Sequence, residues 1–266
     1  MRIEVASKPQ SVTVVRAVLA AVAGAFQFEA ELVNDLKTAV SEACNNVVMH
    51  AYQGQPGPLA VAVAIGDGCV AVSVCDDGLG IQHAAPAEDR MGVGLAVMTA
   101  LATRAEFTRR VGGGTEVRMM FARRQAGAEQ VAQAPPAAET PSLSPSLAGD
   151  VVVALTPIAL LGEVLGRAAR TLAAAAHLSL ERFSDVYLVA DAVAAHARRA
   201  AGKDDIGFSL TAGDRRLDVA VGPLRAGSGK PNGSADPMLP LLVDELRVER
   251  DDGTETLRLV VADQAA

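Results

Sequence analysis

Ala39-Val-Ser-Glu-Ala-Cys-Asn-Asn-Val-Val-Met-His-Ala-Tyr52 sets Glu42 and Asn46 four residues apart, and further on comes Asp76-Asp-Gly-Leu-Gly-Ile81. A helix turns once every 3.6 residues, so this spacing stacks a carboxylate and a carboxamide on one face, one turn apart. Such a pair suits a divalent metal and a reacting hydroxyl. Taken alone, it also fits the solvated face of any amphipathic helix. The company it keeps decides the reading: Asp-x-Gly-x-Gly at a strand end, then Gly92-Val-Gly94-Leu, then Gly114-Thr115, all in order after the helix.

Working outward, Arg2 to Ala6 alternates like a short strand. Pro9 to Phe28 and Glu29 to Tyr52 carry apolar residues at helical spacing, among them Val33, Leu36, Ala39, Val40, Ala43 and Val47. Leu59 to Ile65 and Cys69 to Cys75 read as a β-hairpin about Gly66-Asp-Gly68, Gly94 to Ala102 as a helix, and Glu106 to Val111 with Thr115 to Ala122 as a second hairpin about Gly112-Gly-Gly114. The expected fold class is α/β, a two-layer sandwich whose mixed, mostly antiparallel sheet carries helices on one face.

From about Gln125 to Gly149 the periodicity gives way to Pro, Ala, Ser and Gln, a composition that cannot bury enough surface to offset its ordering entropy. Residues 124–149 are therefore expected to form a linker between a domain at 1–123 and another at 150–266. Beyond it the order returns: a strand at Val151 to Leu155, helices near Ala159 to Ala176 and Leu180 to Ala201, strands at Ile206 to Thr211 and Leu217 to Val221, and a last hairpin. Gly114-Thr-Glu-Val-Arg-Met119 and Gly253-Thr-Glu-Thr-Leu-Arg-Leu259 look like copies, which points to an internal duplication; the alternative is that any two α/β domains share such coarse patterns.

Composition narrows the function classes. A chain of 266 residues can bury two modest cores. With 31 acidic against 24 basic residues and a formal charge of −7, no overall field attracts nucleic acid or anionic membrane, so an anionic ligand must be held by local groups. Cys44, Cys69 and Cys75 are odd in number, lack metal-site spacing and fall in apolar settings, as reduced core residues do. No membrane span or secretory leader is read, and a cytoplasmic protein is expected.

On the motifs quoted, residues 1–123 resemble the GHKL (Bergerat-fold) ATP-binding superfamily, and within it the bacterial anti-sigma-factor serine/threonine kinases, whose metal-binding helix looks like Ser41 to Tyr52. The resemblance implies ATP and Mg²⁺ as cofactors, with Asn46 as the metal ligand and Glu42 as the catalytic base. It further implies that Asp76 contacts adenine, that Gly78 and Gly80 leave room for the base, and that Thr115 joins the network around Asp76. Gly92 and Gly94 precede an apolar helix, so bare amides and the positive helix end can meet phosphate oxygens. The segment 82–91 is the expected lid, with Arg90 either pairing with phosphates or standing as a surface cation. Asn45 points about 100° from Asn46, and His50 fits helix packing as well as function.

The second half lacks the set. With Asp35 opposite Asp185, Glu42 falls on Ala192 and Asn46 on His196; shifted by one, Asp191 faces Glu42 but Ala195 faces Asn46. The strand that should end in Asp-x-Gly-x-Gly reads Val219-Ala-Val-Gly-Pro223. Gly227-Ser-Gly-Lys230 is no phosphate loop, since its first glycine is missing and Pro231 follows the lysine. The expectation is one nucleotide site per chain, with the second copy standing in for a partner as an intramolecular pseudo-dimer. The implied partners are an antagonist protein and a sigma factor, with no direct nucleic acid or membrane contact. A nucleotide-gated binding protein without turnover, or a histidine-kinase-like ATPase, are the alternatives.

Overall fold

Ile3 and Val5 alternate with polar neighbours, and in the computed structural model this makes β1 (Arg2–Ala6) with the two apolar side chains buried. The structure describes residues 1–66, 68–80, 92–123, 141, 143–228, 238–251 and 253–263. They divide into two compact units, Met1–Thr140 and Pro141–Ala266.

In the first unit, Pro9 stands at the start of α1 (Pro9–Ala25), where its missing N–H would have had no intrahelical partner. α2 (Ala30–Asn46) buries Leu36, Ala39, Val40, Ala43 and Cys44, the one-sided stripe that the 3.6-residue period predicts. The helix expected to run to Tyr52 changes at its end. Val47–Ala51 forms a wider π-helical turn. Then follow β2 (Pro58–Ile65), β3 (Cys69–Asp76), α3 (Gly92–Leu101), β4 (Arg104–Arg109) and β5 (Thr115–Ala122).

These strands lie in the order β4-β5-β3-β2-β1, and every pair is antiparallel, so the sheet expected to be mixed is antiparallel throughout among the described residues. Register and the two-residue strand period put Leu59, Val61, Val70, Val72, Val74, Val117, Met119 and Phe121 on the helix side, all buried. Each such side chain contributes about 1.5–3 kcal/mol. Asp76 falls on that same face, in line with Val70, Val72 and Val74. β4 begins and ends two residues before the expected strand, and Val111 is fully exposed in the turn that follows.

The second unit runs β6 (Val151–Leu155), α4 (Leu161–Ala175), α5 (Leu180–Ala200), β7 (Ile206–Gly213), β8 (Arg216–Arg225), α6 (Leu239–Leu242), β9 (Glu245–Asp251) and β10 (Thr254–Ala262). Its strands take the order β9-β10-β8-β7-β6, the same path as in the first unit. Even the links between paired helices agree: Gln27 and His177 both adopt positive φ, 52° and 56°. The expected linker is described only at 141 and 143–149. There Leu147 is buried, and Arg258 donates to the Ser146 carbonyl at 2.9 Å. That end therefore belongs to the second unit, because one leucine finds a core position in an otherwise polar stretch. Among the described residues no helix is long and apolar enough to cross a membrane.

Candidate functional site

The site is built where α2, α3 and the end of β3 meet. On α2, Glu42 and Asn46 are half-buried while Asn45 is exposed, as the 3.6-residue period requires. His50 is exposed as well, on the π-turn. Gly94, in the first turn of α3, faces the pair. A Cβ at position 94 would stand 3.3 Å from Glu42 Oε2, and 3.4 and 3.5 Å from Asn46 Nδ2 and Oδ1. The glycine thus leaves a cradle bounded by one carboxylate, one carboxamide and the amino end of a helix. Backbone N–H groups of a first helical turn have no partner within the helix, so this end favours anions. Gly92 opens the same turn.

Asp76 ends β3 and is 4% exposed. Its Oδ1 accepts from the Gly78 backbone N–H at 2.8 Å and its Oδ2 from the Thr115 backbone N–H at 3.2 Å. An ionised carboxyl offers about four acceptor positions, so two such bonds leave capacity for a further donor. Burial raises the Asp76 pKa above its ordinary value; the two backbone N–H groups act against burial, and neighbouring Asp77 adds to the rise.

Two glycines set this turn for reasons invisible in the motif. A Cβ on Gly78 would lie 2.2 Å from the Ala51 carbonyl oxygen, and one on Gly114, at φ 83°, would lie 2.0 Å from the Asp76 carbonyl oxygen. The space beside Gly78 is therefore filled by the end of the π-turn. Leu79 N–H also donates to the Ala51 carbonyl at 3.0 Å. Gly80 adopts φ 74° beside the Gly114 carbonyl. Asp77 is exposed and ion-paired with Arg110. Arg90 and the expected lid 82–91 lie outside the described residues. Among the described residues no cluster of three His, Cys, Asp or Glu side chains could hold a metal, so a cation here would rest on Asn46, ligand oxygens and water.

The family described as the histidine kinase-like ATPase domain matches residues 5–121, the stretch that holds every group named above. An anti-sigma F factor of Caldanaerobacter subterraneus is 34% identical over 129 residues, 45% of this chain and 90% of that protein. The chain belongs to the GHKL family of histidine kinase-like ATPases. Among its relatives, an anti-sigma F factor of Clostridium beijerinckii is 30% identical over 44% of this chain and 90% of its own length. A serine-protein kinase RsbW of Bacillus thuringiensis is 30% identical over 30% of this chain and 49% of that kinase.

The family match ends at residue 121 and leaves the second unit out, and the geometry of that unit differs at each point. Val74 pairs with Val61 and Val117, and Val221 pairs with Phe208 and Leu257. Two residues on from these valines, Asp76 corresponds to Pro223. The matched turns Gln27 and His177 set Glu42 against Ala192 and Asn46 against His196, both of the latter buried. α5 also runs as a regular helix to Ala200 with no π-turn. In the Gly227–Lys230 stretch, Gly227 and Ser228 are described and form a turn, while 229 and 230 lie outside the described residues.

The structure brings Glu42 and Asn46 to Gly94, and Asp76 to Gly78 and Thr115. Sequence reasoning missed Ala51, Tyr52 and Arg110. Tyr52 accepts a hydrogen bond from the Asp77 backbone N–H at 2.8 Å and donates to the Pro58 carbonyl. Arg110 Nη1 donates to the Asp76 carbonyl at 3.0 Å and to the Asp77 carboxylate. The only available signal was an arginine beside the glycine run 112–114.

Proposed function

We propose that the first unit binds ATP with Mg²⁺ and transfers the γ-phosphoryl group to a serine or threonine hydroxyl of an antagonist protein, acting as an anti-sigma-type kinase. The observation that carries the reading is the cradle at Gly94, where the Glu42 carboxylate and Asn46 carboxamide converge on the amino end of α3. A substituent at position 94 would fill it, so the residues present suit a phosphate and its cation. Asp76 receives the exocyclic amine of adenine with its remaining acceptor capacity, a contact that guanine, with a carbonyl at that position, does not make. The α3 amides and the Asn46 side-chain oxygen hold the tail end. Bound Mg²⁺ would supply neutralisation of charge developing on the transferring group.

Glu42 then accepts the proton of the attacking hydroxyl, a role for which a carboxylate one turn from the metal-holding carboxamide is suitably placed. The relatives' names, anti-sigma F factor and serine-protein kinase, support the choice of a protein hydroxyl as acceptor and of a sigma factor as the regulated partner. The second unit, with Pro223, Ala192 and His196 at the corresponding positions, takes no nucleotide.

The full chain, labelled ATP and an antagonist domain test this directly. Transfer to serine or threonine is expected, and Glu42→Gln should lower it by about 10²–10⁴, the usual worth of a general base, while ATP affinity stays within a few-fold. Intact ATP binding with no transfer to any antagonist would leave a nucleotide-gated binding protein instead.

A further inference from the structure

Asp77, Arg110 and Tyr52 form a group that the proposed chemistry does not use, yet all three meet the turn that carries Asp76. Arg110 projects from the turn between β4 and β5, and its Nη1 donates to both the Asp76 carbonyl, at 3.0 Å, and the Asp77 carboxylate. From the opposite side the Tyr52 hydroxyl, just past the π-turn, accepts from the Asp77 N–H at 2.8 Å and donates to Pro58. The peptide between Asp76 and Asp77 is thereby held by a cation on its carbonyl and a phenol on its N–H. These two groups are the only polar handles a peptide unit offers.

The ion pair is exposed, with side-chain accessibilities of 41% for Arg110 and 60% for Asp77. Exposed pairs of this kind add little to stability. Their effect here is geometric, because the Asp76 side chain leaves the backbone at the clamped peptide and must meet a donor within a few tenths of an ångström. Resting on the ATP reading above, we infer that Arg110 and Tyr52 are positioning residues for base recognition: they fix the orientation of the Asp76 carboxylate and so set the preference for adenine over guanine nucleotides, without touching the ligand's phosphates.

Dissociation constants for ATP and, by competition, for GTP, measured with Mg²⁺ on the full chain, test the clamp. Arg110→Ala should reduce the ATP-over-GTP preference about tenfold, mostly by weakening ATP, while the melting temperature moves by no more than about 2 °C. Arg110→Lys, which keeps a cationic donor, should recover part of the preference. An unchanged preference in Arg110→Ala would overturn the inference, and so would a large drop in melting temperature with the preference kept. Should Arg110→Ala fail to fold, Tyr52→Phe decides, since it keeps both charges and removes only the hydroxyl: a reduced preference supports the clamp and an unchanged one refutes it. Wild-type protein that binds no ATP at all would refute the nucleotide reading itself, a result distinct from a clamp variant that binds ATP and GTP in the wild-type ratio.

Discussion

Asp76 shows how a single side chain carries opposing demands. Burial disfavours its charge, and the N–H groups of Gly78 and Thr115 only partly offset this, so its pKa stays above the ordinary carboxyl value. A carboxyl whose folded pKa is raised binds more protons when folded than when unfolded, over the window between the two values. Stability owed to Asp76 is therefore fullest at low pH and declines as pH rises through that window. The stability of wild type relative to Asp76→Asn should fall from about pH 4 upward, the ordinary carboxyl range, and then flatten. Paired urea titrations from pH 3.5 to 7.5 check this, and a difference that grows with pH would show that the backbone bonds outweigh burial. Cys44 is a second buried titrating group. Its thiol is pushed up to about 12 by burial, so it should resist thiol reagents at pH 8 until the chain unfolds.

At the scale of elements, the decisive event is the contact between the end of α2 and the turn after β3. α2 gives way to a π-turn whose last carbonyl, on Ala51, accepts from Leu79 N–H and sits where a Cβ on Gly78 would go. π-turns of this kind concentrate at functional sites, and here the widened turn brings Ala51 and Tyr52 to the Asp76 loop. Gly78→Ala should destabilise the protein by about 1–3 kcal/mol, the usual penalty of overpacking, because the obstructing atom is backbone and cannot swing aside. Gly114→Ala should do at least as much, since position 114 also has positive φ. Thermal melts measure both, and a neutral result at Gly78 would mean the turn relaxes away from Ala51. Alanine at Gly94 behaves differently: the atoms it meets at 3.3–3.5 Å are side-chain ends that can move. Its stability should hold while its nucleotide affinity drops.

For the whole molecule, two units follow one strand order and only the first carries the matched family stretch. Calorimetry with ATP and Mg²⁺ should give a stoichiometry of one per chain, and saturating ATP should raise the melting temperature, as any ligand selective for the folded state does. A stoichiometry of two would assign a nucleotide to the second unit despite Pro223, Ala192 and His196. The amino-acid sequence alone determined the order of elements, the helix face bearing Glu42 and Asn46, and the place of Asp76 at a strand end. Those features follow from local periods of 3.6 and 2 and from short-range turn chemistry, which a linear pattern records. The absence of the set from the second half was equally legible, since it is a matter of which residue types stand at matched positions. Only the tertiary structure decided that Gly78 makes room for Ala51, that Gly114 lies on the Asp76 carbonyl, that Leu147 joins the second core and that Arg110 and Tyr52 grip one peptide from two sides. These contacts join positions distant in the chain, and their existence depends on ångström-level packing that no local spacing encodes.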